Sequence, residues 1–248
     1  MSDFTLFEII YDQSELPAPY SHIFHITGKP QKNELYINFK VTYVDREELS
    51  EEEIYDEGFS TDDDFEWNGT LKPVWLTVMK NALQDIKFQN KKTSEIEVKV
   101  ENNSGVIHKG LIDKSHEAAY IIEELIQAVY ANTEKHIPLT VKYLKIKEGS
   151  SSLLEITPDF KNREVLLKAN GTAHKNTFVW NDLKEFFQKL YSLDYNYEEA
   201  LEDTPKETGV FLDPGESLWF KINKGVRSAH KTKTLQELTA DLDKLFLN

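Results

Sequence analysis

The stretch ELYINFKVTYV, residues 34–44, decides the fold class, because it is rich in the aromatic and β-branched residues that favour β-strands. Two earlier stretches, one beginning at Phe4 and one spanning residues 21–27, have the same character and predict two more strands. Residues typical of turns separate the three stretches: Pro17, Pro19, Gly28 and Pro30. The chain therefore begins with three consecutive predicted strands.

A short helix is predicted next, between Ser50 and Gly58. Ser50 and Glu53 have the spacing of a capping box, in which each side chain accepts a hydrogen bond from the other residue's backbone N–H. Leu49 and Ile54 stand at the two positions of a hydrophobic staple. Gly58 is placed to end the helix, since glycine adopts the left-handed backbone conformation that closes many helices.

The rest of the chain alternates predicted helices and strands. Helices are predicted from near Thr70, over residues 116–132 and 178–192, and from Thr234, where Glu237 completes another capping box; strands are predicted near residues 94–101, 105–112, 139–147, 152–157, 163–169, 209–212 and 217–223. Most strands are joined by short links, and each longer helix has one apolar face. This pattern predicts an α+β fold with antiparallel sheets and helices packed on one face.

The two halves of the chain have a similar order of elements. Residues 1–133 and residues 134–248 each follow a predicted β-β-β-α-β-β-α order, and Trp75 and Trp180 each lie at the start of an amphipathic helix. Apolar positions of the last helices also align: Ile122, Ile126, Val129 and Tyr130 with Leu238, Leu242, Leu245 and Phe246. We predict a tandem duplication, with two domains that meet near residues 131–138. The alternative is two unrelated α+β segments that share generic patterns.

Negative charge is concentrated in two segments. The net charge of the 248 residues is −14, and residues 45–66 contain twelve acidic residues with one base, Arg46. Residues 194–216 contain eight acids and one base, whereas residues 221–233 contain five bases and no acid. We predict that a chain of this sign binds neither nucleic acid nor an anionic membrane, because phosphate would be repelled. The basic stretch either balances the neighbouring acidic segment or contacts a phosphate.

Composition excludes several classes of site. The chain has no cysteine, so it has no disulfide, zinc–thiolate site, iron–sulfur cluster or thiol nucleophile. Its first residues include acids and no basic leader, and no stretch approaches 18 consecutive apolar residues, so we expect neither a signal peptide nor a membrane span. These features predict a soluble cytoplasmic protein.

Catalytic and cofactor motifs are missing as well. The sequence has no GxSxG, GxxxxGK[ST], GxGxxG or HExxH pattern, and it predicts no catalytic residue, cofactor or resident metal. Residues 62–69 begin like a calcium loop, but Trp75 stands where the loop needs a bidentate glutamate. A looser divalent site at the acids of residues 62–66 stays a minor alternative. His22 and His25 are three apart in a predicted strand, so they point to opposite faces and make a poor metal pair.

Aromatic residues among the acids carry the functional hypothesis. Trp75 and Trp180 lie on apolar helix faces and are predicted core residues, whereas Trp67 stands in a predicted acidic loop. We predict that this segment binds a basic protein partner through Phe59, Asp62, Asp63, Asp64, Phe65, Glu66 and Trp67. The alternative is an enzyme or small-molecule binder that uses a groove between the two repeats, with or without a divalent cation. The oligomeric state is left open.

The burial of Trp219 depends on how many faces of its sheet are covered. Trp219 and Phe220 are neighbours in a predicted strand, and neighbouring strand residues point to opposite faces. One of the two has to face away from the core unless both faces of the sheet are covered.

Overall fold

A computed structural model of the chain describes residues 4–84, 86–89, 95–133, 135–173, 178–231 and 233–247. The chain divides into two compact units. Unit 1 consists of residues 1–135 and 160–162, and unit 2 of residues 136–159 and 163–248. Each unit is built on its own antiparallel sheet, which confirms the predicted α+β class.

Six strands and three α-helices form the described part of unit 1: β1 (Phe4–Gln13), β2 (His22–Gln31), β3 (Glu34–Tyr43), α1 (Glu51–Asp56), β4 (Phe65–Leu71), α2 (Pro73–Gln84), β5 (Ile96–Asn102), β6 (Ile107–Ile112) and α3 (Glu117–Tyr130). The strands form one sheet in the order β4-β3-β2-β1-β5-β6. Every neighbouring pair is antiparallel. Because the strands are in the order of a meander with β5 returning beside β1, short links are sufficient for most connections.

Alternation along the strands places one face of this sheet in the core. In β3, Leu35, Ile37 and Phe39 are buried, whereas Asn38 and Lys40 between them are exposed. Helices α2 and α3 cover the apolar face, and their residues Trp75, Met79, Ala119 and Ile122 belong to the same core as the strands. The opposite face carries mostly polar side chains, as expected for an antiparallel sheet with one solvated side.

Unit 2 has the following described strands and α-helices: β7 (Val141–Lys147), β8 (Ser150–Asp159), β9 (Glu164–Ala169), β10 (Thr172–Ala173), α4 (Leu183–Tyr191), β11 (Leu193–Tyr195), β12 (Gly209–Asp213), β13 (Phe220–Lys221), β14 (Val226–Ser228) and α5 (Thr234–Leu247). Its large sheet has the order β10-β9-β8-β7-β12-β13. Strands β11 and β14 pair separately. The order of the large sheet matches that of unit 1, strand for strand.

The unit 2 sheet buries side chains on both faces at its β7, β12 and β13 end. The main core contains Phe220 and the inward residues of α4 and α5, such as Phe186 and Leu242. On the other face, Leu144, Phe211 and Trp219 form a second, smaller core. The backbone of Leu201 exchanges two hydrogen bonds with that of Trp219, at 2.9 and 2.8 Å, and fixes this strand end. Trp219 and Phe220 are therefore both buried, one on each face.

Several predicted elements differ from those observed. Gly28 and Pro30 lie within β2 rather than in a turn. Gly28 is opposite Phe7, and a Cβ atom at this position would lie 2.2 Å from the Phe7 ring, so the missing side chain makes room for a core aromatic. The helix predicted from Thr70 begins at Pro73, because Thr70 and Leu71 complete β4.

The predicted β-β-β-α-β-β-α order is extended in both units. Unit 1 contains the additional strand β4 and the short helix α1, which was predicted between Ser50 and Gly58 but is not part of that order, and unit 2 contains β10, β11 and β14. Strand β4 was missed because its acidic surroundings suggested a loop, although Phe65, Trp67 and Leu71 alternate as strand residues do. In the described part of the chain, no helix combines the length and apolar character needed to cross a membrane.

Candidate functional site

The acidic segment, residues 45–66, contains a short helix whose cap is the predicted one. The Glu53 N–H donates to Ser50 Oγ at 3.4 Å, and the Ser50 N–H and hydroxyl donate to Glu53 Oε2 at 2.9 and 2.7 Å. The hydroxyl and backbone hydrogen bonds from Ser50 lower the pKa of Glu53. Ile54 is buried beneath the helix, and Gly58 follows it with φ +80°, as a helix-ending glycine should.

Arg46 anchors this segment to unit 1. Its guanidinium carbon lies 4.0 Å from the ring centre of Tyr43 and 4.9 Å from that of Phe59. The Nη1 atom donates to Asp63 Oδ2 at 2.6 Å and to the Ser60 carbonyl, and only 10% of the Arg46 side chain is exposed. Planar stacking and a directed hydrogen bond are interactions for which arginine is well suited. The one base of the segment is thus a structural residue.

Asp63 completes the anchor. Its carboxylate accepts hydrogen bonds from the Ser60 N–H and hydroxyl, both at 2.8 Å, in addition to the one from Arg46. Burial acts to raise the pKa of Asp63, but these hydrogen bonds and the positive charge of Arg46 outweigh it and lower the pKa. The carboxylate therefore stays ionised and holds the chain between Phe59 and β4 in place.

Phe59 closes the anchor from the other side. Its ring meets Tyr20 edge-on at 5.2 Å and Tyr43 at 5.9 Å between ring centres. The Tyr20 hydroxyl donates to Glu57 Oε2 at 2.5 Å. The aromatic residue that folds the segment onto unit 1 is therefore Phe59.

The last predicted site residues belong to the sheet. Asp64 Oδ1 accepts from the Tyr43 N–H at 2.8 Å, and Glu66 pairs with Lys40 at 2.9 Å. Phe65 stacks on Tyr130 of α3 with 6.1 Å between ring centres. Trp67 is half-buried against the core of unit 1. Both aromatic residues are in β4 and on its core side, so the predicted acidic loop is shorter than expected and contains neither of them.

Six acids of the segment remain exposed, and they form no hydrogen bond or ion pair with the described residues: Glu47, Glu48, Glu51, Glu52, Asp56 and Asp62. Tyr55 lies among them on α1, with 55% of its surface exposed. We call these seven residues the acidic surface. Of the predicted site residues, only Asp62 belongs to it. The sequence signal for Tyr55 is its place on the helix, one residue after the buried Ile54 and four after Glu51, which turns it outward.

Of the four acids suggested for a divalent cation, Asp63, Asp64 and Glu66 are otherwise engaged, and only Asp62 is not in the part of the chain that the structure describes. Asp63 accepts hydrogen bonds from Arg46 and Ser60, and Asp64 accepts one from the Tyr43 N–H. Glu66 forms an ion pair with Lys40. Within the described ranges, no group of three His, Asp or Glu side chains is placed to hold a metal ion. His22 faces the core side and contacts Phe24, whereas His25 is exposed on the other face, as their spacing predicted. His174 lies outside the described residues.

Comparisons with models of known protein families, with curated proteins and with solved structures give no match. The geometry and charge of the acidic surface are therefore the basis for proposing a function.

Proposed function

We propose that this chain is a non-enzymatic cytoplasmic binding protein whose acidic surface recognises a basic protein partner. One observation carries the proposal. The anchor formed by Arg46, Phe59 and Asp63 holds residues 45–66 in a defined shape, yet six carboxylates of that segment form no ion pair with a base among the described residues. A rigid surface with unneutralised charge loses little conformational entropy when it binds a complementary one.

Two kinds of residue would act at different stages of binding. The six carboxylates create a negative potential that speeds the encounter with a basic protein, and salt weakens this effect. Tyr55 offers an exposed ring that can be buried against the partner or contact an arginine or lysine by a cation–π interaction. The carboxylates would therefore set the association rate, and Tyr55 the lifetime of the complex.

Neutralising the acidic surface tests the proposal. Changing Asp63 or Asp64 would be confounded, because both hold backbone groups in place. The informative variant converts the acids at positions 47, 48, 51, 52, 56 and 62 to their amides. A matched control converts six acids of the second segment to amides, at positions 194, 198, 199, 202, 203 and 207.

Wild-type protein immobilised as bait should capture basic proteins from a native lysate, and raising the salt concentration should slow their association. The acidic-surface variant should lose these proteins, whereas the control variant should retain them. Tyr55→Ala should keep the association rate and shorten the lifetime of the complex. The proposal fails if the acidic-surface variant captures the same proteins with the same salt dependence.

A further inference from the structure

A cavity within unit 2 lies between helices α4 and α5 and encloses about 310 Å³. Its floor is apolar and consists of Phe178, Phe186, Leu238, Leu242 and Leu245. The rings of Phe178 and Phe186 meet edge-on at 5.5 Å, and the three leucines follow one another along a single face of α5. The volume is at the small end of the range of about 300–1,000 Å³ that small-molecule sites occupy.

Two lysines line the mouth of this cavity and share one carboxylate. Lys189 Nζ lies 2.8 Å from Glu185 Oε1 and 3.1 Å from Asp241 Oδ2, and Lys244 Nζ lies 2.9 Å from Asp241 Oδ1. The hydrogen bonds from Glu185 and Asp241 raise the pKa of Lys189, so it stays protonated at neutral pH. The fifth charged residue, Asp182, accepts a hydrogen bond from the Val179 N–H at 3.0 Å.

The lysines retain donors after these contacts. An ammonium group has three N–H donors; within the described ranges, Lys189 has two carboxylate partners and Lys244 has one. Lys244 is also 70% exposed, so a molecule entering from solvent can reach it. The acids at the mouth are all engaged within the unit. An incoming carboxylate can therefore use the N–H donors that Lys189 and Lys244 retain.

We propose that this cavity binds a small apolar carboxylate, with the tail on the aromatic and leucine floor and the carboxylate between Lys189 and Lys244. Asp241 already shows that a carboxylate can contact both ammonium groups at once. The ligand's carboxylate would use their remaining donors and compete with Asp241 for them. This site is independent of the acidic surface, which belongs to unit 1.

A pair of probes with the same tail and opposite heads tests the chemistry. Decanoate and decyltrimethylammonium can each be titrated into the full chain by calorimetry, below the concentrations at which they form micelles. The chain's net charge of −14 favours the cationic probe at every non-specific site. Saturable one-to-one binding of decanoate, at least about tenfold tighter than that of the ammonium probe, would support the site. Equal binding of both probes, or none of decanoate, would overturn it.

Three variants locate the binding. Lys189→Gln combined with Lys244→Gln should weaken decanoate binding by about tenfold or more, the effect of losing charge-assisted hydrogen bonds. Lys221→Gln combined with Lys224→Gln makes the same change of charge elsewhere in unit 2 and should leave the affinity unchanged. Asp241→Asn should tighten binding, because it removes the competing negative charge.

If the double variant at the mouth does not fold, Lys244→Gln alone is sufficient, since that side chain is mostly exposed. An affinity that Lys244→Gln and Asp241→Asn both leave unchanged would contradict the proposed position of the carboxylate.

Discussion

The two acidic segments have similar compositions and different surroundings. In residues 194–216, four of the eight acids pair with a base: Asp194 with Arg227, Glu199 with Lys224, Glu207 with Lys221 and Asp213 with Lys142. Three of these bases come from the basic stretch 221–233. In residues 45–66, only Asp63 and Glu66 have such a partner among the residues that the structure describes. Acidic segments of a sequence therefore give a partly neutralised surface in one place and a more exposed negative charge in the other.

The difference follows from strand pairing. Strands β11 and β14 place Asp194 directly opposite Arg227. The bases that precede β14 in the chain also form ion pairs with acids of this segment. Local charge balance thus accounts for three of the five bases in the basic stretch, Lys221, Lys224 and Arg227. The first segment lies at the edge of its sheet, where its neighbour β3 contributes a single lysine ion pair.

The largest effect is expected where a charge of the second segment is buried. Asp213 is 1% exposed, contacts Lys142 at 3.2 Å and accepts from the backbone N–H groups of Gly215, Glu216 and Ser217 at 2.9–3.1 Å. Asp213→Ala removes the buried acceptor of these three N–H groups and the partner of Lys142, and should cost about 3–5 kcal/mol in the free energy of unfolding, measured by urea denaturation. Asp213→Asn keeps an acceptor oxygen and should cost less. A loss below about 1 kcal/mol for the alanine variant would contradict this role.

The anchor of the first segment should give the second largest effect. Arg46→Ala removes the ion pair with Asp63 and the stacking on Tyr43 and Phe59, and should lower the free energy of unfolding by about 2–3 kcal/mol. Limited proteolysis should then cut within residues 57–64. Lys40→Ala, which breaks the exposed pair with Glu66, is the control and should change stability by less than about 1 kcal/mol. Equal losses for the two variants would mean that Arg46 is no anchor.

A pH series should show how much the ionised carboxylate of Asp63 contributes to the stability of the fold. The pKa of Asp63 is lower in the folded chain than in the unfolded one, so its ionised form stabilises the fold. That contribution is complete above the unfolded pKa of about 4 and is lost as the pH falls through the folded pKa. Urea midpoints should therefore fall more steeply in acid for the wild type than for Asp63→Asn. Curves of the same slope would show that Asp63 does not contribute in this way.

The smallest effect on stability should come from removing the bases that pair with the second acidic segment. Replacing Lys221, Lys224 and Arg227 by glutamine breaks exposed ion pairs, each worth about 0–1 kcal/mol. The variant should unfold at nearly the wild-type urea concentration and should bind poly-L-lysine more tightly than the wild type does. If its affinity for poly-L-lysine does not rise, internal pairing is not what distinguishes the two segments.

The shared strand order supports the proposal that the chain is a tandem duplication with domains at residues 1–133 and 134–248. Both large sheets place the first strand of the unit between the second strand and a later hairpin. The turn after the later strand is also similar. Asn102 Oδ1 accepts from the Ser104 and Val106 N–H groups, and Asp213 does the same for three N–H groups of its own turn. A separate superposition of each unit's sheet on the other would test the proposal.

Much of the secondary structure could be predicted because it depends on neighbours in sequence. The capping box of Ser50 and Glu53, the strand at residues 34–44 and the apolar faces of α2, α3 and α5 involve periodic patterns or contacts within a few residues. The short strands β11 and β14 could not be found in this way. They have three residues each and are stabilised by each other, with 30 residues between them.

Some features of the candidate site likewise depend on local sequence, and others depend on contacts between distant residues. Sequence alone determined the α+β class, the helix cap and the concentration of acids in residues 45–66, since all three depend on composition or local spacing. Only the tertiary structure decided which acids are exposed, because Arg46, Tyr20 and Phe59 meet through contacts between residues distant in the chain. It also turned Phe65 and Trp67 toward the core, since the pairing of β4 with β3 determines which face each of them occupies.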